Sequence, residues 1–194
     1  MENKELNTQD TVMTPEVYKK TFWRTFPLQA CFCFERMQNV GFAYMMVPAL
    51  KKLYTDKKDI SDALKRHLAI FNTTPAVVSF IAGASIAMEE KFKKAKDNGE
   101  EVDEESINAV KTALMGPLAG IGDTIGWAMI PTIFGSIAAS MGMQGNPLGI
   151  FLWAAFTFAF LAVRILEVEW GYNMGINVVT KLGKQITVFT EACS

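Results

Sequence analysis

One carboxylate, Asp123, stands alone in the run TALMGPLAGIGDTIGWAMIPTIF: between Thr112 and Val163 no other residue is Asp, Glu, Lys or Arg. An ionisable side chain in so apolar a stretch is costly unless it faces protein or water. It therefore marks a solute pathway or an essential polar contact, with a hydrogen-bonded cap at a helix break as the alternative. Pro117 and Pro131 interrupt the helix on either side, and interrupted helices at membrane depth line substrate paths. The neighbouring glycines do not form a phosphate loop, because GPLAGIGDT lacks the lysine of G-x-x-x-x-G-K-[ST] and the spacing of G-x-G-x-x-G. Gly116/Gly120 and Gly122/Gly126 are instead small-xxx-small pairs, which let helix backbones approach closely in lipid.

Glu35, Gln38 and Asn39 are spaced to share one helix face. Their carboxylate and carboxamide groups match the paired donors and acceptors of sugar hydroxyls, and Phe32, Phe34 and Phe42 offer apolar faces for a ring. A salt-bridged stripe using Glu35 and Arg36 accounts for the same residues equally well. His67 is the sole histidine. It invites a phospho-carrier or general-base role, but no acidic orienter is readable beside it, and a polar-network role is favoured. Asn72, in the same LKRHLAIFNTTP stretch, joins His67 and Asp123 as a structural or pathway polar residue. No Ser/His/Asp order, metal-ligand cluster, carboxylate dyad or cofactor motif is readable. Cys31, Cys33 and Cys193 make no even disulfide framework, and C-x-C lacks redox or zinc spacing, so the first two read as buried apolar filler.

The elements that position these groups follow from where the charges lie. Half of the 194 residues are hydrophobic and the net charge is -1, which gives a nucleic-acid partner no electrostatic support. Sixteen of nineteen Lys and Arg lie at or before Lys111, and sixteen of twenty acids at or before Glu105. A wet N-terminal half and a lipid-facing C-terminal half define an all-α polytopic membrane protein, with an amphipathic N-terminal helix, re-entrant or partial helices and broken transmembrane helices. A soluble all-α enzyme does not fit the 40 uncharged residues 124–163. The chain divides into a polar tail (1–13), a cytoplasm-proximal helical region with interfacial and re-entrant segments (14–111) and a membrane core region (112–194). The start of the chain shows no signal peptide, so insertion falls to internal segments, with the N-terminus in the cytoplasm.

Thr14-Pro15 is a capped helix start, followed by Tyr18, Phe22 and Phe26 at four-residue spacing with Trp23 beside them, which suits a membrane interface. Residues 28–50 are long enough to span a bilayer. Residues 75–88 would rise only about 21 Å as a helix against a hydrocarbon core of roughly 30 Å, so a re-entrant or tucked segment is expected. The regions 1–24, 51–66, 91–96 and 164–184 all carry basic residues, and only MGMQGNP carries none. The simplest topology therefore makes 28–50 and 75–88 hairpin-like or partial insertions, and sends 124–143 and 147–163 out and back. EEKFKKAKDNGEEVDEES reads as a solvated linker without chemistry, Arg164 and the Glu167/Glu169 pair close the second span, and Lys181 and Lys184 mark another wet stretch.

Three blocks, FWRTFPLQACFCFERMQNVGFAYMMVPALKKLY, LKRHLAIFNTTP and INAVKTALMGPLAGIGDTIGW, occur in an order and spacing that resembles the IID subunit of the mannose/fructose/sorbose family of bacterial phosphotransferase systems. The resemblance covers nearly the whole chain from Thr14. The cysteines of QACFCFERMQ depart from it, and the chain ends where family members continue through further membrane segments, as in a shortened form or a fragment. The resemblance implies a multi-pass subunit of the bacterial cytoplasmic membrane that takes part in group translocation. Its partners would be a IIC membrane subunit, in a higher oligomer of IIC–IID pairs, and the IIA/IIB phosphocarriers that deliver a phosphoryl group to an incoming hexose. IID itself is implied to be neither an enzyme nor phosphorylated, and its relatives are commonly exploited as bacteriocin receptors. Placing the sugar on Glu35, Gln38 and Asn39 follows plausibly; a scaffold or receptor subunit without sugar contact is the alternative.

Carbonate extraction checks the membrane assignment directly. The chain is expected to stay in the membrane pellet, whereas a peripheral or soluble protein would be released.

Overall fold

The computed structural model describes residues 11–100 and 103–192, those from 176 onward as helix backbone. Most of the tail expected over 1–13 lies outside the described residues, as does Cys193. Helices dominate the described residues, and pairing between extended segments is limited to the isolated bridges Cys33–Met37 and Met37–Phe71.

The Thr14 hydroxyl accepts from the Val17 N–H, and Pro15 opens α1 (Pro15–Trp23), as those residue types require. The helix buries Val17, Thr21 and Phe22 and turns Trp23 outward. Three helices then pack around one core: α2 (Asn39–Leu53), α3 (Lys57–His67) and α4 (Val78–Asp97). Phe42, Met45, Met46, Leu50, Phe71, Ile81 and Ile86 have no exposed surface there. Burying a side chain of this size is worth about 1.5–3 kcal/mol, so the cluster dominates local stability.

Residues 28–50 therefore do not form one crossing helix. Residues 24–38 are turns and bridges, and α2 begins only at Asn39. Gly41 brings its backbone onto the Leu28 carbonyl, where an added Cβ would sit 2.0 Å from the oxygen. The apolar residues of 75–88 are tucked inside protein as the first half of α4, a 20-residue helix. That helix runs on into the expected linker, so Glu89 and Glu90 are buried rather than solvated. The linker does turn where expected, at Asn98-Gly99, with Gly99 at φ 76°.

The rest is long and apolar. A continuous helical stretch comprises α5 (Glu105–Ile121), a π-helical segment (Gly122–Met129) and α6 (Ile130–Met143). The chain reverses at MGMQGNP, where Gly145 takes φ 71° and Asn146 Oδ1 accepts from the Leu148 N–H (3.0 Å). It then enters α7 (Leu148–Ala192), which continues past Arg164 instead of ending there. Glu105–Met143 and Leu148–Gly175 are each long and apolar enough to cross a bilayer, and almost none of either apolar window is covered by the chain itself. Uncovered surfaces of that extent require lipid or another protein.

The seam joining the two halves is α4 against α7. A Cβ on Gly171 would lie 1.9 Å from the Phe80 carbonyl oxygen, and one on Gly83 2.1 Å from that of Val168. Close helix packing thus falls on these glycines, whereas Gly116 and Gly120 meet nothing of their own chain within 4 Å. Gly122 touches Thr74, and Gly126 lies at ordinary contact with Ala76 and Phe160.

Gly171→Leu should accordingly destabilise the purified full chain by about 3 kcal/mol or more, because the clash is with backbone. Gly120→Leu should change its melting temperature little. Equal losses in a thermal melt in detergent would contradict the seam.

Candidate functional site

Two breaks in regular structure lie side by side. Pro131 has no N–H to offer the Trp127 carbonyl, and the turn before it widens until the Ile130 N–H reaches back five residues to Ile125 O. The widened segment carries Asp123, exposed and with no hydrogen-bond or ion-pair partner among the described residues. Against it runs the irregular stretch 70–77 between α3 and α4, which ends in a turn at 75–77. The Thr73 hydroxyl donates to Met115 O (3.3 Å), Thr74 packs on Gly122, and Ala76 lies beside Gly126. Asn72 is exposed at this stretch. Below the π segment, Trp127, Pro131, Trp153 and Phe156 help line an apolar cavity of about 160 Å³.

The expected Glu35/Gln38/Asn39 face is not a helix face. Glu35 stands in a turn with its side chain 81% exposed, 3.6 Å from Arg36, while Gln38 precedes α2 and Asn39 opens it. Met37, at φ 56°, and its bridge to Phe71 force this local path. Gln38 and Asn39 are buried braces. Gln38 Oε1 accepts from the Thr73 N–H (3.0 Å), and its own N–H donates to Phe71 O (2.8 Å). Asn39 Nδ2 donates to Leu68 O (2.8 Å), tying down the end of α3.

His67 does have an acidic orienter. Glu89 Oε1 lies 2.9 Å from its Nε2, and both side chains are fully buried. The same carboxylate takes a fork from Arg66, Nε and Nη2 each at 3.1 Å, and the Tyr54 hydroxyl at 2.9 Å. Arg66 also binds Glu104 at 2.7 Å, and the buried Lys111 ammonium reaches Arg66 O and sits over the Phe42 ring. Burial alone would push the Glu89 carboxyl up; the His67 hydrogen bond and the Arg66 guanidinium outweigh it and bring it down to about 2. Burial holds the His67 imidazole below 6.5 despite Glu89, so neutral His67 donates through Nε2 and Arg66 carries the balancing charge. An imidazole so enclosed cannot meet a phosphoryl donor. Tyr54, Arg66, Glu89 and Lys111 escaped the sequence reading, although Glu89 continues the buried stripe Ala82, Ser85, Ile86 at helical spacing.

An uncovered helical hairpin on a packed helical base, with a carboxylate at a break in the first span, defines an α-helical integral membrane protein. Residues 12–194 match the model of the PTS system mannose/fructose/sorbose family IID component, and the chain belongs to that family. It is 42% identical over 188 residues to the sorbose-specific EIID component of Klebsiella pneumoniae, covering 94% of this chain and 63% of that protein. It is 38% identical over 178 residues to the mannose-specific EIID component of Escherichia coli K12, covering 91% and 62%. A chain in the cryo-EM structure of the mannose transporter ManYZ with microcin E492 superposes with a TM-score of 0.78 at 39% identity, covering 88% of this chain and 62% of that one. The chain thus spans a little over three fifths of the length of these relatives. They are transport components of the phosphotransferase system. Cys31 and Cys33, expected to be buried filler, are exposed.

The buried pair sets a pH response. Glu89 stabilises the fold above its free value of 4.5 and loses that contribution as pH falls toward about 2. His67 works in the same direction: the unfolded chain takes up a proton below about 6.5 that the folded imidazole resists. Acid unfolding followed by circular dichroism should begin below about pH 6.5 and steepen below 4.5. Glu89→Gln should cost about 3 kcal/mol by leaving the buried Arg66 with only the exposed Glu104 as its carboxylate, and should remove the steep limb.

Proposed function

We propose that this chain acts as the IID subunit of a sugar-transporting phosphotransferase system, forming with a IIC membrane subunit the translocator that passes a hexose inward for phosphorylation by IIB. Asp123 carries this reading. A carboxylate inside an otherwise uncharged span, on a widened turn with no partner from its own chain, needs water or another protein around it. A translocation path bounded by a second subunit supplies both. The open Gly116/Gly120 face of the same helix gives that subunit a surface for close approach. The base formed by α1–α4, rich in Lys and Arg, faces the cytoplasm, where IIA and IIB deliver phosphoryl groups.

Gln38 enters this function by holding the Thr73 backbone beside the broken span and Asn39 by tying down the end of α3, which leaves Asp123, and Glu35 in its exposed pair with Arg36, as carboxylates within reach of a solute. The commitment of both amides to their own backbone also favours a second reading, in which IIC makes the sugar contacts and this chain only frames the path.

Co-expression with IIC, IIA and IIB, followed by uptake of labelled mannose, fructose and sorbose, tests the proposal. Asp123→Asn should leave the complex intact and lower uptake roughly ten- to hundredfold, the worth of a charged hydrogen bond of about 1.5–3 kcal/mol. Undiminished uptake would leave the framing role alone, and no uptake of any of these sugars by the wild-type complex would sink the transport reading.

A further inference from the structure

The uncharged run of α7 ends at Arg164, and α1 lies against that point. Arg164 Nη2 donates to Thr25 Oγ1 (3.0 Å) and O (3.3 Å), and its guanidinium stands 4.8 Å over the Phe26 ring. The Tyr18 hydroxyl donates to Ile165 O. Where a spanning helix first carries a charge, hydrocarbon gives way to headgroups, so α1 lies at the membrane interface. Its outward face has the composition of that zone. Trp23 is 61% exposed and stacks on Phe26 at 5.5 Å. Arg24 is fixed on α2, donating to Tyr44 O (3.0 Å) with its guanidinium 4.3 Å over the Tyr44 ring. Between α1 and α2 opens a cleft of about 510 Å³, lined by Glu16, Lys19, Lys20, Trp23, Arg24 and Tyr44.

Three cations face one carboxylate in this cleft, and Glu16 is already paired with Lys20 at 2.5 Å. The lining therefore keeps a net positive charge beside two amphipathic rings. A soluble anion would use the cations and waste the rings. A phospholipid uses both, its phosphate among the cations and its glycerol and upper acyl carbons along the indole and phenol.

We propose that the α1–α2 cleft binds the headgroup of an anionic phospholipid, with Lys19, Lys20 and Arg24 on the phosphate and Trp23 and Tyr44 flanking the glycerol–acyl boundary. Glu16, whose Oε2 is not used by Lys20, accepts from headgroup hydroxyls, which makes phosphatidylglycerol the preferred class. The site rests on membrane residence alone and stands or falls independently of sugar transport.

The full chain reconstituted in nanodiscs, with brominated phosphatidylglycerol or brominated phosphatidylcholine as quencher of tryptophan fluorescence, gives the relative affinity for the two lipids. The wild type should prefer phosphatidylglycerol about five- to twentyfold, several-fold for each cation left uncompensated. The Lys19→Gln/Lys20→Gln/Arg24→Gln variant should fall within twofold of no preference, while Lys57→Gln/Lys58→Gln on α3, outside the cleft, should retain it. Lys19→Gln alone, a change at an exposed side chain, should lower the preference at least twofold if the triple variant does not fold. An unchanged preference in these cleft variants, or an equal loss in the α3 control, would overturn the site. Abolition of the wild-type preference by excess inorganic phosphate would show a free-anion site and overturn the lipid assignment.

Discussion

The buried Glu89 carboxylate is the contact on which the base of this molecule depends. It gathers Tyr54 from the end of α2, Arg66 and His67 from the last turn of α3, and through Arg66 it reaches Glu104 and Lys111 at the start of the first span. An ionised group in such a place is tolerable only with every lone pair engaged. The engagement fixes the relative positions of the helices that make it. The next residue does a second job: Glu90 takes the Val12 N–H and the Tyr172 hydroxyl, joining the chain start and α7 to the same helix. Two adjacent carboxylates on α4 thus tie the packed base to both spans.

Asp123 is treated in the opposite way. The fold spends four donors on Glu89 and none on Asp123, although both lie in surroundings where a bare carboxylate is costly. The π segment explains how Asp123 is presented. Pro117 and Pro131 each remove an N–H from the helix, and the slack appears as a widened turn between them. The irregular stretch 70–77 is held beside that turn by Gln38, so the irregular backbone of one element covers the irregular backbone of the other. Rigidity in the base and openness at the break are consequences of the same arrangement.

Much of this was legible in the sequence, and the division between what was and was not has a physical basis. The hairpin of spans follows from an uncharged run cut by a Gly-Asn-Pro turn, a local signal that survives any tertiary context. The start of α1 is local in the same sense. The Glu35/Gln38/Asn39 face failed because a helix was extended back through residues 33–37, where the backbone is instead set by pairing with Phe71, far along the chain. Glu89 was hidden by its neighbours: a carboxylate at the head of EEKFKKAKD looks solvated until its place on the buried stripe of α4 is followed. Glycine spacing located the capacity for close packing at Gly116/Gly120, yet the seam formed at Gly83 and at Gly171/Gly175, a G-x-x-x-G pair that the charges around it made look wet.

Which glycines are used decides what remains for a partner. Gly83 and Gly171 are consumed by contact within the chain, and their backbones cannot be approached again. Gly116 and Gly120 lie on the far side of α5 from Ile107, Lys111 and Leu118, which face the base. One turn further on, the same far side carries Asp123. A helix docking on the glycines would thus bring its own polar groups to Asp123, which has no partner among the described residues. Lipid cannot meet that requirement, because its hydrocarbon offers no donor. Asp123 and the open groove beside it therefore both call for something other than hydrocarbon: water or a polar protein surface at membrane depth.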